Sequence, residues 1–325
     1  MEYIIIAAAA LLFSLVYFRI ANHYNIVDKP NRRSAHSEVT IRGGGVVYPF
    51  VFLVYLAYGQ IFSEVHPEDY MLFGLGLFLV CAVSFIDDLR GLSSKVRLIF
   101  QFMAVLFLFY FIEAAPNTPA FLIPVAVVVT MGVLNAFNFM DGINGMSGLY
   151  SLVTLLSLYY INSSLTAFTD ADFIVYPAIA SIVFLFFNFR KKAVCFMGDV
   201  GSMGVAFWIA ALAGTLIIAT GELKWILLLA VYGVETLITI IERLRLGENI
   251  FKAHRRHLYQ LFANDKGYSH IAVSAAYAGI QLVINILVIF SDLAGSVLIP
   301  VVMVLSVAAY VLVKRQVKKQ ISGSL

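Results

Sequence analysis

The sequence predicts an all-α polytopic membrane protein with about eleven transmembrane helices. Of its 325 residues, 61% are hydrophobic and only 13% are charged, which is more apolar than a soluble domain requires. The hydrophobic residues also fall into runs close to the length of a bilayer-spanning helix. Finally, every Lys and Arg except Lys224 lies in alternate gaps between these runs or in the C-terminal tail.

The eleven predicted spans follow the hydrophobic runs in order. They cover residues 3–18, 46–62, 70–86, 98–112, 121–139, 146–161, 173–189, 203–219, 225–241, 271–290 and 293–313. Several are shorter than about 20 residues, so we expect neighbouring helices to shield their ends. No gap has room for a separate soluble domain, and the chain is predicted to be one integral membrane domain, 1–325.

The basic gaps predict the orientation. Basic residues concentrate on the cytoplasmic side of membrane proteins, which places the N-terminus outside and the C-terminus in the cytoplasm. The first run carries Glu2 and no basic residue before it, which favours a retained helix over a signal peptide. Cys81 and Cys195 indicate no disulfide framework. A basic inner face suits anionic lipid and anionic substrate alike, although orientation alone explains most of these charges.

Three hydrophobic runs lead into aspartates on that cytoplasmic side: Asp87 with Asp88, then Asp141, then Asp199. A carboxylate is costly beside a lipid core, so each placement needs a reason. We expect the three to converge on one metal ion and one phosphate, which places the active site on the cytoplasmic face.

The first of these motifs runs from Asp87-Asp88 to Lys95 and Arg97. Two adjacent carboxylates repel each other unless a cation or metal stabilises both as anions. One could hold Mg²⁺ or act as a base, and Lys95 could meet a phosphate. The alternative is a pair of acids at a helix end near compensating basic residues.

The second motif surrounds Asp141. Asn135 and Asn138 are three residues apart and share a face if helical, while Gly142 and Gly145 permit a tight turn close to a ligand. Amide and carboxylate groups suit a nucleobase edge, a ribose or a sugar hydroxyl. A polar turn with a helix cap is the alternative, but the polar residues begin inside the apolar run.

The third motif places Asp199 between Gly198 and Gly201, just before the next span. A turn at a helix N-terminus favours anion binding, and an aspartate there can also cap the helix. With Asp87 and Asp88 it would complete an oxygen-ligand Mg²⁺ site.

Two further cytoplasmic gaps carry clustered charge. In His254-Arg255-Arg256-His257 the density of arginine suggests a diphosphate clamp. A zinc site has little support there because no cysteine or third histidine is near, and a basic membrane-surface segment is the alternative. The first gap holds the stretch 28–36 and then residues 42–45, whose glycines could form an anion-binding turn or a hinge.

Glu235 is the one ionisable residue deep in a predicted span. Such a residue is a functional candidate by default. Structural pairing inside the helix bundle is the preferred interpretation, and no catalytic role is assigned to it.

In this order and combination, the motifs resemble those of the polyprenyl-phosphate N-acetylhexosamine-1-phosphate transferases, glycosyltransferase family 4. The resemblance runs from the stretch at 28–30 to His257. The family includes the enzymes that start O-antigen, enterobacterial common antigen and teichoic acid synthesis, and more distantly the phospho-MurNAc-pentapeptide translocase.

The resemblance implies that undecaprenyl phosphate attacks a UDP-N-acetylhexosamine and releases UMP. Mg²⁺, or Mn²⁺ in its place, would be the cofactor, with Asp199 as its ligand. Asp87 would be the base or charge partner for the lipid phosphate, assisted by Asp88, and a two-step route through a phospho-aspartate stays open. The implied substrate-binding residues are Lys95, Asn135, Asn138, Asp141, Gly142, Asn144, Phe196, His254, Arg255, Arg256 and His257.

Two departures from the family pattern bear on the sugar. The sequence has Asn144 where the family commonly has a second aspartate, and His254-Arg255-Arg256-His257 replaces a histidine cluster. This resembles a branch that starts surface polysaccharides such as O-antigen or capsule, from GlcNAc or a 6-deoxy relative. The expected setting is the bacterial inner membrane, with a possible homodimer and no nucleic acid partner. A transporter or flippase is the alternative, but only Glu235 lies deep among the spans.

Overall fold

The structure is a computed structural model that describes residues 2–28, 38–62, 65–250 and 254–322. Within these residues, eleven helices have 16 residues or more. They are α1 Glu2–His23, α2 Val47–Phe62, α3 Met71–Arg90, α4 Ser94–Phe111, α5 Ile123–Met140, α6 Met146–Ser164, α7 Asp172–Asn188, α8 Gly198–Thr220, α9 Ala230–Arg245, α10 His270–Phe290 and α11 Gly295–Ser322. Each predicted span falls on one of these helices.

The remaining regular structure is short. Strands Val27–Asp28 and Thr40–Ile41 pair antiparallel. The short helical turns are Gly44–Val46, Pro67–Tyr70, Ala114–Asn117, Ala120–Leu122, Leu223–Leu229, Leu258–Gln260 and Leu261–Asp265.

The predicted all-α membrane class is confirmed. Among the described residues, nine helical stretches are long and apolar enough to cross a membrane, and α6 and α7 are not among them. Helix α7 is apolar but has only 17 residues. The number of crossings and the side that each terminus faces stay predictions.

Local signals set the helix ends that matter for the site. Helix α3 ends where Gly91 adopts a φ of +67°, a left-handed value that glycine accepts without strain. Its last turn therefore carries Asp87 and Asp88. The Ser93 hydroxyl caps α4 by accepting the Val96 amide at 3.4 Å. The sharp α3–α4 connection folds Arg97 back toward the aspartates.

Helix α8 lies at the centre of the bundle. In its most apolar 18-residue window 61% of residues are buried, against 11% for α11 at the periphery. It packs against both α3 and α5. Because all three helices have an aspartate motif at one end, this packing positions the candidate site.

Residues 42–45, here called the glycine loop, pack against the start of α8. The Gly44 and Gly45 amides donate to the carbonyls of Phe196 and Met197, at 2.8 and 2.9 Å. The two backbones cross so closely that a Cβ on Gly45 would lie 2.2 Å from the Gly201 Cα. These glycines are required for the close approach, which agrees better with a packed turn than with a free hinge.

Candidate active site

One arginine bridges two of the aspartate motifs. The Asp87 carboxylate accepts the Leu92 amide at 2.5 Å and Arg97 Nη1 at 2.8 Å. The same Nη1 lies 3.7 Å from Asp199 Oδ2, in the first turn of α8. The end of α3 and the start of α8 therefore meet around a single guanidinium.

Asp88 also lies against the start of α8 but pairs with a different arginine. Its side chain is only 1% exposed and forms a 2.8 Å ion pair with Arg42 from the glycine loop. Its Oδ2 accepts the Val200 amide at 3.4 Å. The same oxygen lies 2.7 Å from the position that a Cβ on Gly198 would occupy. Successive helix residues point about 100° apart. The adjacent acids Asp87 and Asp88 therefore serve different surroundings.

A cleft of about 470 Å³ opens beside Arg97, between α4, α5, α9 and the segment that follows α9. Its wall is partly polar and partly apolar. The lining residues are Ser94, Arg97, Leu98, Gln101, Asn135, Asn138, Phe139, Thr239, Ile240, Arg243, Ile250, His254, His257 and Gln260. A small adjoining recess shares Arg97, Asn135 and Asn138 and reaches Asp199.

The two asparagines of α5 face this cleft, as their spacing predicts. Asn135 Nδ2 donates to Gln101 Oε1 on α4 at 2.9 Å and to the Met131 carbonyl at 2.8 Å. Asn138 Nδ2 points to Ser202 Oγ on α8 at 3.4 Å. The pair thus connects α4, α5 and α8 along the wall of the cleft.

Asp141 and Gly142 form the turn after α5. Burial raises the pKa of the Asp141 carboxyl to about 7, and the negative charge of Asp199 adds to the shift. Gly142 is packed against Tyr259, since a Cβ would lie 2.2 Å from the tyrosine oxygen. That hydroxyl donates to the Phe139 carbonyl at 2.9 Å, so the turn is held from the 257–259 segment.

Asn144 and Phe196 are not brought into the cleft. Asn144 is 5% exposed, and its amide donates to the Arg190 carbonyl at 2.8 Å. Asn144 thereby holds the turn between α5 and α6 against the loop that follows α7. Phe196 contributes its backbone to the glycine loop, donating to the Ile41 carbonyl at 2.8 Å. Their predicted contact with substrate stays a prediction.

His254 and His257 both line the cleft. Burial, together with the nearby His257 and Arg243, lowers the pKa of His254 to about 4, so this ring is neutral at neutral pH. His257 is 1% exposed, its ring caps the short helix Leu258–Gln260, and its Nδ1 lies 3.6 Å from Glu235 Oε1. The predicted contact of His257 with substrate stays a prediction.

The two arginines of the predicted clamp differ. Arg256 donates its Nε to Glu248 at 3.1 Å, whereas Arg255 is exposed. Both line an open depression next to the cleft, together with Arg243 and Glu248. The predicted basic stretch at 29–36 lies outside the described residues.

Comparison with known sequences agrees with this geometry. The sequence model described as glycosyl transferase family 4 matches residues 70–217. The family resemblance inferred from the motifs is thereby confirmed.

Similar proteins carry specific names. A probable undecaprenyl-phosphate N-acetylglucosaminyl 1-phosphate transferase of Bacillus subtilis is 26% identical over 65% of this chain, which matches 61% of that relative's length. A decaprenyl-phosphate N-acetylglucosaminephosphotransferase of Mycobacterium leprae is 26% identical over 77% of this chain and 73% of its own. A phospho-N-acetylmuramoyl-pentapeptide-transferase of Halalkalibacterium halodurans is 28% identical, over 77% and 82%.

The family 4 segment contains all three aspartate motifs, from Asp87 through Asp141 to Asp199. It ends before the 254–257 segment and begins after Arg42. The structure nevertheless packs both flanking regions onto the family 4 segment, through Arg42 on Asp88 and Tyr259 on Gly142. The candidate site is therefore built from more of the chain than the matched residues.

Sequence reasoning missed two arginines of this site. Arg42 and Arg97 lie among the basic residues of gaps predicted to be cytoplasmic, but the motifs assign a role only to Lys95. In the structure Lys95 is exposed in the first turn of α4 and does not line the cleft. Arg97 lies in the same short gap as Asp87 and Asp88. Because paired acids require a nearby cation, this position was the signal that could have identified it.

Proposed function

We propose that this protein transfers N-acetylhexosamine 1-phosphate from a UDP-N-acetylhexosamine to undecaprenyl phosphate, releasing UMP. The observation that carries the proposal is the Arg97 bridge between Asp87 and Asp199 at the edge of a mixed polar and apolar cleft. The names of the similar proteins support a polyprenyl phosphate acceptor and a sugar 1-phosphate donor. They give no support to the transporter alternative.

The proposed chemistry is phosphoryl transfer between two anions. An oxygen of the acceptor phosphate attacks the β-phosphorus of the donor, a new P–O bond forms, and the bond to UMP breaks. Such reactions depend mainly on positioning and charge neutralisation. Arg97 can bind phosphate oxygens with its planar guanidinium, and Asp87 is placed to take a proton from the acceptor or, in a two-step route, to attack phosphorus itself.

Mg²⁺ is part of the proposal. Within the described residues there is no group of three or more His, Cys, Asp or Glu side chains that could hold a metal ion. Mg²⁺ is usually bound by one or two carboxylates, with waters and substrate phosphates completing its shell, so a full protein cage is not required. Asp199 fits this role because its side chain is 25% exposed and borders the small recess beside Asn138. When bound, Mg²⁺ or Mn²⁺ would neutralise charge on the diphosphate.

The lipid acceptor accounts for the mixed character of the cleft. Leu98, Phe139 and Ile240 alternate there with polar side chains. On the outer surface of α4, large apolar residues such as Ile99 and Phe102 are exposed, as expected for a lipid-facing helix. A polyprenyl phosphate can place its head in the cleft while its tail stays in the bilayer.

The finer features belong to the same proposal. The sugar is GlcNAc or a 6-deoxy relative, the product initiates a cell-surface polysaccharide, and the site faces the cytoplasm at the bacterial inner membrane. A homodimer is expected and is tested by the mass of the purified protein in detergent.

The test is an assay of the purified, membrane-reconstituted protein with undecaprenyl phosphate, Mg²⁺ and a panel of UDP-N-acetylhexosamines. We expect UMP to be released with one of them, together with a lipid product whose mass equals the acceptor plus the sugar phosphate. Omission of the lipid should abolish UMP release. If no sugar of the panel yields UMP, the proposal is wrong.

A further inference from the structure

Glu235 is an acid that the proposed chemistry does not use. It lies in α9 with 1% of its surface exposed, and Oε1 accepts the Leu258 amide at 2.6 Å and the Tyr259 amide at 3.4 Å. The Tyr277 hydroxyl on α10 donates to Oε2, and His257 Nδ1 lies 3.6 Å from Oε1. The carboxylate therefore binds the start of the short helix Leu258–Gln260, where free amides attract negative charge.

The contacts continue from this short helix to the aspartate turn. Tyr259 is 1% exposed, and its hydroxyl donates to the Phe139 carbonyl in the last turn of α5. Its ring occupies the space where any side chain at Gly142 would lie. Glu235 thus lies beside His257, which lines the cleft, and is connected through Tyr259 to the turn that carries Asp141.

We propose that Glu235, braced by Tyr277, is a positioning residue for the active site. It holds the 257–259 segment so that His257 faces the cleft and Tyr259 fixes the Phe139–Gly142 turn. This inference rests on the proposed function and assigns the effect to the nucleotide-sugar side of the cleft. Glu235 itself touches neither substrate.

The burial of Glu235 supports this role over a reactive one. A carboxylate away from water is tolerated only when its oxygens are satisfied, and both oxygens of Glu235 are engaged. Of the described residues, those that line the cleft include His257 but not Glu235. Hydrogen bonds to a charged acceptor are among the stronger ones, so Glu235 is suited to hold the 257–259 segment in place.

The first test does not require activity. Hydrogen exchange of the purified full chain is compared between wild type and Glu235→Gln, with Tyr259→Phe as a milder second variant. In Glu235→Gln we expect the exchange rates at residues 257–260 and at 139–142 to rise together, by about tenfold, because exchange follows the population of the locally opened state. In Tyr259→Phe, only 139–142 should rise. A rise at 257–260 that leaves 139–142 unchanged, or no rise at either, overturns the link.

The matched control is Tyr55→Phe. Tyr55 is also 1% exposed, and its substitution also removes a hydroxyl that donates a hydrogen bond, in this case to Asp170 Oδ2 at 2.8 Å, but Tyr55 lies on α2 away from the cleft. The control should lower thermal stability by an amount similar to Tyr259→Phe without changing exchange at 139–142.

The second test separates positioning from stability by kinetics. Tyr259→Phe should raise the KM for the UDP-sugar, or lower its kcat/KM, by about five- to tenfold, the size expected for one lost hydrogen bond. The KM for undecaprenyl phosphate should be unchanged, and Tyr55→Phe should change neither. Glu235→Gln, which keeps one acceptor oxygen, should retain more activity than the similarly sized Glu235→Leu.

Equal changes in KM for both substrates would refute the positioning role. A loss of activity explained by the amount of folded protein alone would refute it as well. If the wild type releases no UMP with any sugar, the proposed function fails by itself. The exchange experiment then still decides whether Glu235 holds the Phe139–Gly142 turn.

Discussion

The acids at the edge of the cleft differ from the acids inside the bundle. Asp87 and Asp199 are 11% and 25% exposed and share Arg97, whereas Asp88 and Glu235 are each 1% exposed and hold Arg42 or backbone amides. All four are costly near lipid. From this difference we propose that a carboxylate is retained there for chemistry when a substrate or metal can replace its partner. It is retained for architecture when its partner is an internal part of the fold.

The sharpest test of this comparison is Asp199→Asn. The substitution keeps the shape but removes the negative charge that faces the recess, so we expect kcat to fall at least about a hundredfold. Melting temperature should be nearly unchanged because the side chain is partly exposed. UMP release per mole of inserted protein is the measurement, and Asp87→Asn should behave in the same way. Full activity would remove Asp199 from the metal role.

A second test addresses the interior through the glycine loop. Gly45→Ala places a Cβ 2.2 Å from the Gly201 Cα, and a backbone atom cannot move aside as a side chain can. We expect a loss of about 1–3 kcal/mol in stability, read as a lower melting temperature in detergent. Gly279→Ala on α10 is the control, since a Cβ there meets nothing within 4 Å. Equal stability of the two variants would contradict the close crossing.

Asp88→Asn tests whether the neighbour of Asp87 belongs to the interior. Loss of the Arg42 ion pair should cost about 1–2 kcal/mol, less than for a fully buried pair because Arg42 is 35% exposed. Activity per folded molecule should fall less than tenfold. The double variant Asp88→Asn, Arg42→Gln should recover part of the stability. A loss of activity as large as in Asp199→Asn would place Asp88 with the cleft acids instead.

Lys95→Gln should have the smallest effect. This exposed lysine can attract the anionic substrates at a distance, so we expect a two- to fivefold rise in KM, of about the size of a surface charge interaction, that disappears at high salt. The KM is measured at low and at high ionic strength, and Lys319→Gln, at another exposed lysine, is the control. An unchanged KM at low salt would leave Lys95 without a role.

The helices were predictable because their main signal is local. Every hydrophobic run coincides with a helix, but the ends differ where a helix continues past its apolar part. Helix α8 begins at Gly198 rather than at 203, and α11 continues to Ser322 rather than to 313. Hydropathy detects the lipid-facing part of a helix and not its polar end. Asp199 therefore lies in a helical first turn and not in a loop.

The site was only partly predictable. The motifs identified Asp87, Asn138 and Asp199, which the structure gathers near one cleft. They could not distinguish Asn138 from Asn144, because the direction of an amide depends on helix rotation and loop packing. The sequence shows both as asparagines of a single motif, while the structure shows one at the cleft and one binding buried carbonyls.

The sequence by itself determined the membrane class, the residue types of the site and the family, because hydrophobic runs and motif spacing are properties of neighbouring residues. Only the tertiary structure decided which acids meet which cations. Asp88 pairs with Arg42 and Arg97 reaches Asp199, partners 46 and 102 residues apart that meet because the glycine loop, α3 and α4 all gather around the start of α8. Burial and charge pairing depend on that packing, so the division between the carboxylates at the cleft edge and those in the interior does too.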